Sequence, residues 1–271
     1  MRAGEADYQQ LLRELELGND CRLGIAVLDT GDGERLNFNA DERFAMASTF
    51  KVLLAGAVLA RVDAGEENLN RVVSYEEEDL LSYAPVTRRQ LHEEVGELSV
   101  AELCEAAVVW SDNTAANLLL TSMGGPAGLT QFLRESGDET TRLDRMEPDL
   151  NANEPGDVRD TTTPAAMVGA LEKFLLDGVL TDRSQELLVQ WMIDCETGDQ
   201  KLRAGLDESW RVGDKTGAGG RGASNDVAIV WPPGRDPILI AVFLSAPASD
   251  RLEQNSIIAQ VGKIISDAFA E

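Results

Sequence analysis

Strand-forming patterns in this 271-residue chain lie near its two ends, with a long and mostly helical stretch between them. That arrangement restricts the fold more than any other feature. Ala6 to Leu17 carries Leu11, Leu12 and Leu15 on one helical face and stops at Gly18-Asn19, which predicts an amphipathic helix. Arg22–Leu28 and Arg35–Phe38 read as strands joined by Asp29-Thr30-Gly31-Asp32-Gly33, a turn composition that predicts a hairpin. From Ser48 to about Asp194 the pattern is helical apart from two polar loops. Helices are expected at Ala101–Trp110, Thr114–Met123, Pro164–Leu176 and Ser184–Ile193, with Thr163 and Gly124 as capping residues. Strands return at Trp210–Gly213, Ser224–Trp231 and Ile238–Ser245, and a closing helix runs from about Leu252 to Phe269. The expected class is therefore α+β, with the end segments pairing into one antiparallel five-stranded sheet flanked by the terminal helices. Residues 1–45 with 196–271 should make a discontinuous α/β lobe and residues 46–195 an all-helical one. A site between two such lobes is the natural expectation.

Composition narrows what that site can be. Forty-eight acidic against 24 basic residues give a net charge of −24, which disfavours binding to a phosphate backbone. Runs such as Glu76-Glu77-Glu78-Asp79 read as a solvated, self-repelling surface on which adventitious cations can sit. Such a charge keeps a chain soluble but strains its compact state, a balance met in halophiles, so salt tolerance is expected. The longest apolar runs, Val52 to Ala60 and Ile238 to Leu244, suit a core helix and a buried strand and are too short to span a membrane. Met1-Arg2-Ala3-Gly4-Glu5 lacks the apolar run of a signal peptide, which fits either an intracellular chain or a mature sequence behind a start methionine.

Cys21, Cys104 and Cys195 form no C-x-x-C pair, and Cys104 lies on the apolar pattern Leu103, Ala106, Ala107, Trp110, as a buried thiol would. The single histidine, His92, sits among acidic residues and reads as a surface side chain. One histidine cannot supply a typical zinc hydrolase site, and no G-x-S-x-G elbow accompanies it for a Ser-His-Asp triad. A hydrolase built on this chain must take its base from a lysine or a carboxylate.

Short patterns supply such groups in a fixed order. Ser48-Thr49-Phe50-Lys51 opens the apolar run Val52-Leu53-Leu54-Ala55, and residues three apart on a helix share a face, so Lys51 can reach the Ser48 hydroxyl. Ser111-Asp112-Asn113 falls between two helices, where a hydroxyl can relay a proton and an amide can grip a substrate amide. Glu147-Pro148-Asp149-Leu150-Asn151 lies in a polar loop, with a carboxylate and a carboxamide placed to hold one water; Arg145 and Asp160 can pair to clasp that loop. Lys215-Thr216-Gly217, at a strand end and followed by Ala218-Gly219-Gly220, offers an ammonium and a hydroxyl to a carboxylate, with glycines that admit a ligand close to the backbone. Each pattern alone is ambiguous; the set in this order is specific.

With these patterns the sequence resembles the class A serine β-lactamases over nearly its whole length. Tyr83-Ala84-Pro85-Val86-Thr87, Arg142-Leu143-Asp144-Arg145 and Arg159-Asp160-Thr161-Thr162 add to the likeness. The resemblance implies the β-lactamase/DD-peptidase fold and hydrolysis of penicillins or cephalosporins through an acylated Ser48. Lys51 is then its basic partner, Ser111 the proton donor to the ring nitrogen, and Glu147 with Asn151 the holders of the hydrolytic water. The backbone amides of Ser48 and Ala218 would form the oxyanion hole. Tyr83 would line the entrance, Asn113 would bind the acylamide side chain, and Lys215, Thr216 and Gly217 would hold the carboxylate end. No cofactor or metal is implied; a monomer, exported as a mature periplasmic or secreted enzyme conferring antibiotic resistance, is. The Glu147–Pro148 peptide is a candidate cis bond.

Two departures stand out. Cys104 occupies a position many members use in a disulfide, but the partner position is Ala55, so no bridge is expected. The arginine that many members place near the substrate carboxylate is replaced by Ser224, and Lys201, or failing it Arg221, is the candidate substitute. The nearest rival, a penicillin-binding DD-peptidase, lacks an efficient deacylating water, so the Glu147…Asn151 loop favours a lactamase. A related serine glutaminase is disfavoured on the same ground, and the intact reactive set argues against a non-catalytic acidic binding protein.

Overall fold

The computed structural model describes residues 5–270; residues 1–4 and 271, the outermost ends of the expected α/β lobe, lie outside the described residues. The chain begins with helix α1 (Glu5–Gly18) and the hairpin β1 (Arg22–Asp29) and β2 (Arg35–Phe38). A two-residue strand β3 (Phe44–Ala45) and a 3₁₀ turn (Ala47–Thr49) lead into α2 (Phe50–Asp63). Then follow β4 (Val72–Glu76), β5 (Leu91–His92), β6 (Val95–Ser99), α3 (Val100–Val109), α4 (Asn113–Ser122) and α5 (Pro126–Glu135). A loop with one 3₁₀ turn (Asp149–Asn151) precedes β7 (Thr161–Thr162), α6 (Pro164–Leu175), α7 (Asp182–Ile193) and the short α8 (Leu202–Gly205). Strands β8 (Arg211–Ala218), β9 (Ala223–Trp231) and β10 (Ile238–Ser245) and helix α9 (Arg251–Ala268) complete it.

The main sheet is five-stranded and antiparallel, in the order β2-β1-β10-β9-β8. The first and last parts of the chain meet where Arg22 pairs with Ser245 and Asp29 with Ile238. The alternation of side chains along a strand explains why β10 is apolar throughout. Ile238, Ile240, Val242 and Leu244 pack on one side with Leu12 of α1 and Ile257 and Val261 of α9. Leu239, Ala241 and Phe243 face the other core, shared with α2, α3, α6 and α7. Every residue of α2 from Phe50 to Leu59 is buried, as expected of a helix apolar on all sides and surrounded by others.

Helix starts follow local chemistry. Thr163 accepts from Ala166 N with Pro164 in the first turn, and the side chains of Ser99 and Asp250 form capping boxes with Glu102 and Glu253. Gly124 takes φ +86° just past α4, a left-handed stop that favours glycine.

The middle of the chain departs from the helical expectation. Strands β4, β6 and β5 form a separate three-stranded sheet, β3 pairs with β7, and α5 is an additional helix. The small sheet escapes a pattern reading because its strands are only two to five residues long and their exposed positions mix Val72 and Val95 with Glu76 and Glu97. Tyr75 is buried against Gly96, where a Cβ would lie 2.2 Å from its ring. The strand expected at Trp210–Gly213 runs from Arg211 to Ala218, and Lys215-Thr216-Gly217 lies at its end as expected. His92 is exposed, and Cys21, Cys104 and Cys195 are free thiols; burial pushes the Cys104 thiol well up from its ordinary value.

Candidate active site

A cleft of about 400 Å³ is lined by Ser48, Tyr83, Ser111, Asn113, Asn151, Thr216, Gly217 and Ala218, with Thr197, Lys201, Arg251 and Asn255. Larger hollows elsewhere on the surface contain none of Ser48, Lys51, Ser111, Glu147 or Lys215; the chemistry, not the size, identifies this one.

Ser48 lies in the 3₁₀ turn just before α2, and Lys51 is in the first turn of that helix. The expected three-residue reach holds across this junction, with Lys51 Nζ donating to Ser48 Oγ at 3.0 Å. The ammonium is fully buried and also donates to Ser111 O (2.8 Å) and Asn113 Oδ1 (2.5 Å), while Glu147 Oε1 lies 3.1 Å away. Burial is the main reason its pKa falls to about 8, assisted by Lys215 and opposed by Glu147.

Ser111 occupies a left-handed backbone conformation (φ +59°) between α3 and α4. Its hydroxyl faces two ammonium groups, Lys215 Nζ at 3.0 Å and Lys51 Nζ at 3.4 Å. The middle residue of that triplet, Asp112, is structural. Its carboxylate caps α4 through Ala115 N and accepts from Val86 N, Thr87 N and Thr87 Oγ1, tying the Tyr83 loop to the helix start. Burial raises the pKa of the half-exposed Tyr83 at the rim and lowers that of Lys215 on the cleft floor. Beneath this floor the buried Asp214 and Asp226 carboxyls are both held above the ordinary carboxylate range by burial.

The Glu147–Pro148 peptide is cis. Asn117 grips the loop at this point, donating to Glu147 O and accepting from Glu147 N, both at 2.9 Å. Asn151 Nδ2 donates to Glu147 Oε2 at 2.5 Å. Asn151 Oδ1 is buried with no hydrogen-bond donor from the protein among the described residues, and buried Glu147 Oε1 faces the Lys51 ammonium at 3.1 Å. The Arg145–Asp160 pair closes the loop base at 2.5 Å.

The structure thus brings together Ser48, Lys51, Ser111, Asn113, Glu147, Asn151, Lys215, Thr216, Gly217 and Ala218, with Tyr83 at the edge. It alters two expectations. Gly219 and Gly220 admit the loop backbone rather than a ligand: Gly220 N donates to Asn151 O at 2.7 Å, and a Cβ at Gly220 would lie 2.9 Å from Ala152 O. Arg221 does not turn into the cleft but pairs with Glu154 at 2.8 Å and lines a separate hollow. Lys201 does line the cleft, yet its Nζ is engaged by Gly217 O and Asn225 O. Ser224 is buried.

Sequence reasoning missed Arg251 and Asn255, which reach the cleft from the first turns of α9, and Thr197, whose hydroxyl is 2.6 Å from that of Thr216. No local pattern marks them, because they meet the site only through the fold. Among the described residues no group of three or more His, Cys, Asp or Glu is placed to hold a metal ion, and no helix is long and apolar enough to cross a membrane.

Known proteins match this arrangement over nearly the whole chain. A model of the beta-lactamase enzyme family matches residues 7–269. The beta-lactamase AER-1 of Aeromonas hydrophila is 40% identical over 261 residues, covering 96% of this chain and 85% of that protein. Among solved structures, the class A beta-lactamase reconstructed for the last common ancestor of Gram-negative bacteria is 55% identical with a TM-score of 0.94, covering 97% of this chain and 99% of that one. Another ancestral class A beta-lactamase structure matches at 54% identity and a TM-score of 0.94, covering 97% of this chain and 100% of that one.

Proposed function

Because the chain belongs to the class A β-lactamase family, whose serine hydrolases open β-lactams without a cofactor, we propose a division of labour among its own residues. Ser48 attacks the lactam carbonyl as its hydroxyl proton passes through the Lys51–Glu147 pair toward Ser111, and the amides of Ser48 and Ala218 receive the developing oxyanion. Fixed donors of this kind each contribute on the order of 3 kcal/mol to such a transition state. Ser111, between two ammonium groups, passes a proton to the ring nitrogen as the C–N bond breaks. Lys215 and Thr216 hold the substrate carboxylate beside Gly217, Asn113 takes the acylamide, and Tyr83 shapes the entrance. A water between Glu147 and Asn151 then attacks the ester carbonyl, Glu147 takes its proton, and the C–O bond breaks as that proton returns to Ser48 Oγ through Lys51.

The observation that carries this reading is the pair of buried acceptors beside Ser48 and Lys51: Asn151 Oδ1, which takes no donor from the protein among the described residues, and Glu147 Oε1, which faces only the Lys51 ammonium at 3.1 Å. They suit a water that donates both hydrogens, the component a penicillin-binding peptidase lacks. The discriminating experiment is turnover of a chromogenic cephalosporin by wild type and Ser48→Ala. Sustained hydrolysis abolished by Ser48→Ala is expected; a wild type that stops after one equivalent would indicate the peptidase.

The finer reading adds two lobes, 1–45 with 196–271 and 46–195, meeting at the cleft, whose lining comes from both ranges. It also holds the enzyme to be a monomer working in the periplasm or outside the cell, the usual setting of the family. The net charge of −24 supports a salt-tolerant protein whose self-repulsion is relieved by added ions.

A further inference from the structure

Catalysis as read above needs two backbone amides, Ser48 N and Ala218 N, to converge on one oxygen. They sit on different elements, the turn before α2 and the end of β8, joined by no direct chain connection. Something must fix their separation. At the seam between them lies one buried side chain, Asn225 of β9, only 1% exposed. Its Nδ2 donates to both Ala45 O and Met46 O, each at 2.9 Å. These carbonyls belong to the residues that lead into the Ser48 turn. Met46 O also accepts from Thr49 N (3.2 Å) and Thr49 Oγ1 (2.8 Å), so the turn closes on an atom that Asn225 holds.

The other half of the seam is equally constrained. Asn225 pairs with Gly217 in the β8–β9 ladder, one residue before Ala218. Lys201 Nζ, itself buried, donates to Gly217 O at 3.0 Å and Asn225 O at 2.9 Å, fixing the same pair. A Cβ on Gly217 would stand 2.8 Å from Met46 O, so the strand approaches the turn as closely as a glycine allows. Asn suits this seam: its amide supplies two N–H donors for two carbonyls, whereas Asp would face them with oxygens and Leu would remove both donors.

We propose that Asn225 is a positioning residue for the oxyanion hole, setting the distance between its two amides, with Lys201 bracing the same strand pair. The inference rests on the assignment of Ser48 N and Ala218 N as that hole. Asn225 touches no substrate and acts only through the backbone it holds.

The test compares wild type, Asn225→Leu and Asn225→Ser in three measurements: inhibition by an aryl boronic acid, which forms a tetrahedral adduct at Ser48; the acylation rate with benzylpenicillin; and non-covalent benzylpenicillin binding in a Ser48→Ala background. Misplacing reacting groups by about 1 Å costs about 10²-fold, so Asn225→Leu should weaken boronate inhibition and slow acylation by about 10- to 100-fold. Non-covalent binding should stay within about twofold, since that state places no charge in the hole. Asn225→Ser, with one hydroxyl donor, should fall between, and it carries the test if the leucine variant does not fold. A lower melting temperature with unchanged boronate inhibition and acylation would overturn the proposal, as would an equal loss in all three measurements. A wild type that benzylpenicillin does not acylate at Ser48 would remove the site assignment itself, a result separable from any effect at Asn225.

Discussion

The loop that carries Glu147 is clasped at its base by Asp160, and Asp160→Asn tests what that clasp does. Asp160 is fully buried and its carboxylate accepts from Asp144 N (2.7 Å), Arg145 N (2.9 Å) and Arg145 Nε (2.5 Å). An asparagine can keep the two backbone donors on its carbonyl oxygen, but turns an NH₂ group toward the guanidinium. Losing one partner of a buried ion pair costs about 3–5 kcal/mol. The low end applies here, because the Arg145 side chain is 21% exposed and a second carboxylate, Asp157, lies 3.7 Å from it. A loss of about 3 kcal/mol in a chain of this size lowers the melting temperature by about 6–10 °C. The functional consequence should be selective. Lys51 and Ser48 are held by α2 and its preceding turn, whereas Glu147 depends on the loop. Deacylation should therefore fall more than acylation, by about 10-fold or more, and acyl-enzyme should build up during turnover. Thermal melts give the first quantity, and quenched-flow mass spectrometry with a penicillin gives the second. A melting temperature within about 2 °C of wild type, or equal slowing of both steps, would refute the reasoning.

Three further outcomes are expected. In Glu147→Gln, residual acylation relies on neutral Lys51. Since Glu147 raises the Lys51 pKa from what burial alone would leave, its removal should move the limb below about 8; stopped-flow acylation should climb about tenfold per pH unit up to that point, and a limb at or above pH 8 would contradict it. Gly220→Ala should displace the loop, since its Cβ would lie 2.9 Å from Ala152 O; deacylation should slow by about tenfold with substrate binding little changed, as measured by steady-state kcat and KM. Melts in low and molar NaCl should show higher stability in salt, because a Debye length of about 3 Å at 1 M screens the surface repulsion; unchanged or lower stability would remove the salt-tolerance reading.

The ends of this fold were readable because their chemistry is local. The Asp29-Thr30-Gly31-Asp32-Gly33 turn forces a hairpin, and the alternate faces of Ile238–Ser245 are both apolar because both are covered. The reactive set was readable because Ser48 with Lys51, and Glu147 with Asn151, are short-range pairs whose spacing carries their geometry. What stayed hidden depends on distant partners. Val72–Glu76 becomes a strand through pairing with Val95–Ser99, since its own alternation, Val73-Ser74-Tyr75-Glu76, is too short to announce it. Arg251 and Asn255 look like ordinary polar residues of a terminal helix until that helix is laid beside the cleft. Asn225, one residue inside an apolar strand, gains meaning only from the carbonyls of Ala45 and Met46, about 180 positions earlier in the chain. Arg221, by contrast, was a reasonable choice by position and was lost to a nearer carboxylate, Glu154.

If Glu147 and Asn151 turn the acylated serine into a turning-over enzyme, removing the carboxylate must trap the acyl group. Intact mass measured over time after mixing Glu147→Ala with benzylpenicillin tests it most directly. A single adduct on Ser48, the mass of the whole penicillin, should persist while wild type returns to its free mass. An adduct that clears as quickly in Glu147→Ala as in wild type would contradict it.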